Sequence, residues 1–116
     1  ILSGLVGSEM CIRDRAYLLA KGNVELPANP IPDVIDFPYT GNKLHPTQKP
    51  VKALTPLIRS FSKPGDIILD PFCGSGSTLM AAKMLGRDYL GIELSAKHHE
   101  TATARLQKIT MKGAAA

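Results

Sequence analysis

The segment Asp70-Pro71-Phe72-Cys73-Gly74-Ser75-Gly76-Ser77-Thr78 lies between a continuous apolar run, Ile67-Ile68-Leu69, and a stretch with helical character from about Ser77 to Leu85. A strand that turns through closely spaced glycines straight into a helix admits few folds. Glycine is needed where the chain reverses sharply and where a ligand lies against bare backbone. The helix start beyond it offers unpaired N–H groups and a positive dipole end to an anion. A second apolar run, Tyr89-Leu90-Gly91-Ile92, ends on Glu93, 19 positions after Gly74. A carboxylate about 20 residues on, at the end of the next strand, is where nucleotide-binding folds grip a ribose diol. An ordinary glycine turn without a ligand is the competing reading.

The flanking residues predict an α/β unit. Pro50 suits a first helical position. Val51, Leu54, Ile58 and Phe61 follow at spacings of three, four and three, one apolar stripe. Pro56 falls inside this helix and is expected to kink or break it. Ser62-Lys63-Pro64-Gly65 ends it. Ile67 to Leu69 reads as a buried parallel strand, and the helix from Ser77 stops at Gly86. Met80 and Met84, four apart on that helix, are expected in the core. Ser95 caps a last helix with Ala102, Leu106 and Ile109 on its apolar side. Helix, strand, helix, strand, helix spells a βαβ unit with a parallel sheet and flanking helices. Upstream, Tyr17 to Ala20 fits a short strand, and Pro27 to Pro38 holds four of the nine prolines and predicts no regular structure.

Composition bounds the class. With 116 residues, 44% hydrophobic and 21% charged, the chain suits one globular domain and excludes collagen, coiled coil and wholesale disorder. No apolar run approaches the roughly 20 residues that cross a bilayer. Ile1 to Ile12 is broken by Gly7, Ser8 and Glu9 and makes no secretory core. The two cysteines, Cys11 and Cys73, form no disulfide framework, so a cytoplasmic setting is expected. Residues 1–15 show no sustained period and resemble translated sequencing-adapter read-through. They are expected to be an artefactual or disordered leader, with a working region over 16–111 and a frayed tail over 112–116. Net charge is +4, and Gly41 to Lys63 carries Lys43, Lys49, Lys52, Arg59 and Lys63 without an acid. Such a stretch either meets phosphates or forms a solvated helix face.

The glycine pattern narrows the ligand. A dinucleotide fingerprint would need glycine where Leu79 stands, and the Gly-Lys of a phosphate-binding P-loop is absent. Two glycines without the third suit a ligand with adenosine but no pyrophosphate. S-adenosylmethionine fits, with its ribose at Glu93, its carboxylate on backbone N–H groups, and its cationic end near Asp70. Metal chemistry is not expected: His98 and His99 are adjacent on a helix, and no Cys or Glu stands at ligand spacing. Cys73 has no histidine at a suggestive spacing and reads as a small loop residue, not a nucleophile.

Three blocks in order then carry a resemblance: Leu44-His45-Pro46-Thr47-Gln48-Lys49-Pro50-Val51, Leu69 to Thr78, and Gly86-Arg87-Asp88-Tyr89-Leu90-Gly91-Ile92-Glu93. Together they closely resemble the exocyclic-amino (adenine-N6 or cytosine-N4) DNA methyltransferases, in the subgroup whose catalytic region precedes the cofactor region. The resemblance spans about Tyr17 to Leu106. It implies part of a Rossmann-like S-adenosylmethionine-dependent methyltransferase fold and a site-specific DNA methyltransferase of bacterial or phage restriction-modification type. Double-stranded DNA would be its substrate, adenine N6 preferred over cytosine N4, with no membrane or metal partner. It also implies that Thr47 and Lys49 sit at the cofactor's carboxylate, that Asp70 to Gly76 wraps the cofactor with Phe72 against it, and that Glu93 takes the ribose hydroxyls.

One departure matters. The family's catalytic loop is Asp/Asn/Ser-Pro-Pro-Tyr/Phe, whose polar groups accept from the target amino group while its aromatic stacks on the extruded base. Here Asp36-Phe37-Pro38-Tyr39 has Phe37 in place of the first proline and lies only about ten residues before His45. It reads as a chance likeness, so no catalytic residue is assigned, and the true loop is expected to be lost with an N-terminal part. The alternative function is then a cofactor- or DNA-binding fragment without chemistry. A methyltransferase for small molecules or proteins is disfavoured by the His45 to Pro50 block.

Overall fold

The computed structural model describes residues 16–38 and 48–109. The expected leader 1–15, the tail 112–116, and the Leu44 to Thr47 part of the His-Pro-Thr-Gln-Lys-Pro block lie outside them. Five elements follow in order: α1 (Val51–Phe61), β1 (Ile67–Asp70), α2 (Ser77–Met84), β2 (Asp88–Gly91) and α3 (Ala96–Gln107). The strands pair in parallel, Ile67 opposite Asp88 and Asp70 opposite Gly91, with α2 as the crossover. This is the βαβ unit that the apolar runs predict.

Pro50, extended at φ −71° and ψ 128°, caps α1, so the helix proper starts one residue later than expected. Leu54 and Ile58 of the stripe are buried and meet Ala81 and Ala82 of α2, with Val51, Ile68, Leu85 and Tyr89 around them. Alanines at the contact let the two helices approach closely. One expectation about α1 fails. Phe61 is exposed and lies outside the cluster that Leu54 and Ile58 form with α2, whereas Ala53 is buried. The helix runs unbroken through Pro56. The bond that proline cannot donate belongs to the carbonyl of Lys52, an exposed residue.

Side chains alternate across the sheet. Ile68 and Tyr89 face the helices, whereas Ile67, Leu69, Leu90 and Ile92 remain 70%, 58%, 57% and 56% exposed. The expectation of a fully buried strand therefore holds on one face only. Met84 is exposed too, because its position turns out of the α1–α2 contact. Tyr17 to Ala20 forms no strand, since no neighbouring strand pairs with it among the described residues, and 16–38 carries neither helix nor strand.

At the amino end of the sheet, buried Arg87 ties α1 to α2. It donates from Nε to Ser62 Oγ (3.0 Å), from Nη2 to Ser62 O (2.7 Å) and from Nη1 to Leu85 O (2.6 Å). Three such bonds offset the cost of withdrawing the charge from water.

At the other end, Gly91 is where helix and strand approach most closely. A Cβ there would fall on Leu79 Cδ1 and lie 3.0 Å from Cys73 Sγ, and both neighbours are buried. Gly91→Ala is expected to destabilise the chain by about 1–3 kcal/mol through overpacking, read as a lower urea midpoint at an unchanged slope.

Candidate functional site

The carboxyl ends of β1 and β2 deliver Asp70 and Glu93 to the same edge of the sheet. Asp70 O accepts from Ile92 N (3.0 Å), and Cys73 N donates to Ile92 O (3.0 Å), so backbone pairing continues past the strands into the loop. Asp70 Oδ1 accepts from Phe72 N (3.1 Å), an Asx turn that bends the chain. Gly74 and Gly76 then adopt left-handed φ of 52° and 80°, and Gly76 N closes a tight turn on Cys73 O (2.7 Å).

Glu93 joins the two sides of the crevice. Its Oε2 accepts from Gly74 N (2.9 Å) and its Oε1 from Ser95 N (2.8 Å). The glycine loop and the acid that the sequence analysis paired by spacing are thus directly bonded. Helix α2 starts at Ser77 with no side-chain cap from Gly76, which leaves its first N–H groups to other acceptors.

The sequence-selected residues divide by direction. Phe72 is 89% exposed and Pro71 is exposed, whereas Cys73, Gly74, Ser75, Gly76 and Ser77 are buried and Thr78 is half-buried. Burial first, then the carboxylates of Asp70 and Glu93, push the Cys73 thiol above its ordinary 9.0.

Lys49 is half-buried and borders a cavity of about 220 Å³ with Gln48, Pro50, Lys52 and Arg105. Gln48 Oε1 is buried without a hydrogen-bond partner among the described residues. Thr47 and Tyr39 lie outside those residues, and Asp36 to Pro38 is exposed and irregular. No group of three or more potential metal ligands occurs among the described residues, and no helix there is long and apolar enough to cross a membrane.

Arg105 and Gln48 were not singled out by sequence. Arg105 Nη1 donates to Ser75 O (2.5 Å), Ser75 Oγ (3.0 Å) and Ser77 Oγ (3.4 Å). One signal existed: three residues after Ala102, it stands within the apolar side of α3, an unfavourable place for a charge with no task.

Comparison with known proteins gives a consistent picture. Residues 25–104 match the DNA methylase family model. A protein of Escherichia coli (strain K12) named as the methylase YubD is 52% identical over 103 residues, covering 86% of this chain and 45% of the relative. The type II methyltransferase M.HinfI of Haemophilus influenzae is 51% identical over 69 residues, covering 60% of this chain and 19% of that protein. The chain thus spans less than half the length of these relatives. Among solved structures, the M1.HpyAVI–SAM complex superposes with a TM-score of 0.59 at 35% identity, over 72% of this chain and 43% of that one. The PvuII cytosine-N4-specific DNA methyltransferase does so with 0.53 at 27% identity, over 60% and 25%.

Two tests follow from the geometry. Glu93→Ala leaves Gly74 N and Ser95 N without their acceptor and is expected to cost about 1–3 kcal/mol. Glu93→Gln keeps one acceptor oxygen and should cost less, with both read by urea denaturation. At pH 8.5 Cys73 should react with iodoacetamide more slowly than glutathione does, and its rate should climb only at higher pH as thiolate forms. Peptide mapping of the alkylated chain measures this.

Proposed function

The chain belongs to the exocyclic-amino DNA methyltransferase family and carries part of its Rossmann-like fold, and on that footing we propose that residues 16–111 hold S-adenosylmethionine across the carboxyl ends of β1 and β2. They would do so as the cofactor part of a site-specific enzyme acting on double-stranded DNA in the bacterial cytoplasm. The observation that carries this reading is the Glu93–Gly74 bond, which sets a carboxylate against a glycine loop at the mouth of adjacent parallel strands. That is where open α/β sheets take their ligands.

The residues present suit the group. Glu93 would accept from the ribose hydroxyls, and Asp70 would face the sulfonium. Exposed Phe72 offers an aromatic face to the adenosine, and the backbone from Pro71 through Cys73, Gly74, Ser75 and Gly76 to Ser77 and Thr78 would wrap the remainder. Lys49, with Thr47 beside it in sequence, would meet the methionine carboxylate. Gln48 Oε1, buried without a donor, suits the adjoining ammonium. When bound, S-adenosylmethionine supplies an electrophilic methyl group. What these side chains add is position and charge: they fix the donor so that an extruded base can reach it in line.

The preferred target in this reading is the adenine N6 amino group. Cytosine N4 is the alternative, and it has the support of a solved neighbour named for that specificity. A second reading, binding without chemistry, draws on Asp36-Phe37-Pro38, which lacks the tandem proline of a catalytic loop and lies exposed. We combine the two: this chain binds the cofactor and transfers no methyl group unaided.

Calorimetry with the 116-residue chain tests the assignment. S-adenosylmethionine should bind and the dinucleotide NAD should not. Asp70→Ala and Glu93→Ala should each weaken binding by about 1–3 kcal/mol, the cost of leaving polar partners unpaired. Affinity unchanged from the wild type in both variants, or a preference for NAD, defeats the pocket assignment. Labelled methyl incorporation into unmethylated DNA by this chain alone would refute the inactivity, and nucleoside analysis of the product would name the base.

A further inference from the structure

The glycine loop rests on α3, and one side chain of that helix fixes its geometry. Ala102 is buried directly beneath Gly76, where an added Cβ would come within 2.9 Å of the alanine Cβ. One turn later, Arg105 reaches past it. Its Nη1 donates to the carbonyl of Ser75 (2.5 Å) and lies 3.0 Å from Ser75 Oγ and 3.4 Å from Ser77 Oγ. Both serines are buried.

The peptide unit joining Ser75 to Gly76 is therefore held at both ends. Its carbonyl oxygen accepts from Arg105, and its N–H donates to Cys73 O at 2.7 Å. Fixing that plane fixes which way the neighbouring N–H groups point, and with them the entry into α2. Among the described residues no carboxylate pairs with Arg105; its bonded partners there are loop oxygens. Withdrawal from water pulls its pKa below the ordinary arginine value, so the fold keeps a charge where hydration is reduced. All three contacts run through the one nitrogen, Nη1.

We propose that Arg105 is a positioning residue that presets the Ser75–Gly76 peptide and the start of α2 for the cofactor, and so contributes to affinity through the loop. The proposal rests on the S-adenosylmethionine reading above. Arg105 also borders the cavity beside Lys49, so direct contact with the ligand is the rival account. The two differ in the unliganded chain: preset geometry is lost without Arg105 even when nothing is bound.

The test is amide hydrogen exchange on the unliganded 116-residue chain, followed by calorimetry with S-adenosylmethionine. Arg105→Ala should speed exchange at Gly76 and Gly74 by about tenfold or more, as loss of a hydrogen bond to a charged group implies. Exchange at Leu54 and Ile58 should stay unchanged. Affinity should fall by a similar factor, and millimolar guanidinium ion should restore part of it. Arg105→Lys, which keeps the charge on a shorter side chain, should fall between; if the alanine variant unfolds, the lysine variant decides by the same readouts. Unchanged loop exchange overturns the proposal, whether or not affinity drops, and a drop alone marks Arg105 as a direct ligand. Faster loop exchange in a chain whose wild type binds no S-adenosylmethionine supports the positioning role and sinks the cofactor reading instead.

Discussion

A single carboxylate holds the crevice together. Glu93 accepts from the backbone of the glycine loop through one oxygen and from Ser95, just before α3, through the other. Both donors are main-chain N–H groups, which are costly to leave unpaired when half-buried. The acid therefore fixes the spacing between the two strand-to-helix turns before any ligand arrives. A carboxylate accepts on both oxygens from more than one donor, so shaping the loop and gripping a diol are compatible tasks. This coupling makes the β1–α2 turn and the β2–α3 turn one structure, though 19 residues separate Gly74 from Glu93.

Around that bond, the unit is braced at opposite ends by arginines that serve carbonyls. Arg87 gathers Ser62 and Leu85 at the amino end of the strands, and Arg105 gathers Ser75 at the carboxyl end. Lys83 Nζ donates to Leu106 O (2.8 Å) and ties α2 to α3 between them. Each cation satisfies backbone groups at a helix end or turn, where the regular ladder stops. The apolar cluster between α1 and α2 comprises Leu54, Ile58, Ala81 and Ala82, and Leu79, Cys73 and Ala102 of α3 are buried around the glycine loop. Parallel sheets are ordinarily covered on both faces, and here Ile67, Leu69, Leu90 and Ile92 stay open. Polar ties from Arg87, Lys83 and Arg105 therefore stand beside apolar packing in joining the helices.

The order of elements was legible because each rests on a local signal: Pro50 and the Leu54–Ile58 stripe, the Ile67 to Leu69 run, Gly86, and Ser95, whose Oγ caps α3 at His98 N. Juxtaposition of Gly74 with Glu93 was legible too, since parallel strands joined by one helix must bring their carboxyl ends together. Other features depend on partners that periodicity does not reveal. A continuous apolar run gives no sign of which face will be covered, so the exposure of Ile67 and Leu69 was hidden. Phe61 continues the stripe of α1 but lies outside the cluster that Leu54 and Ile58 form with α2. Arg105 was hidden because a charge on a helix is ordinarily solvated, and only the depth of the loop against Ala102 makes it a donor to the turn.

The missing third glycine needs a different explanation from the one the pattern suggests. In dinucleotide-binding folds that glycine lets helix and strand pack closely. Here the same approach is made with the sizes exchanged: Leu79 stands on the helix, and Gly91 on the facing strand gives up its side chain to make room. Leu79 therefore reports on packing and carries little information about phosphates. Asp70 and Glu93 both stand close enough to the Cys73 thiol to raise its pKa, and the Arg105 guanidinium rests on the Ser75 carbonyl of the same turn. Two carboxylates and one cation therefore surround the glycine loop, and its charge is mixed in sign.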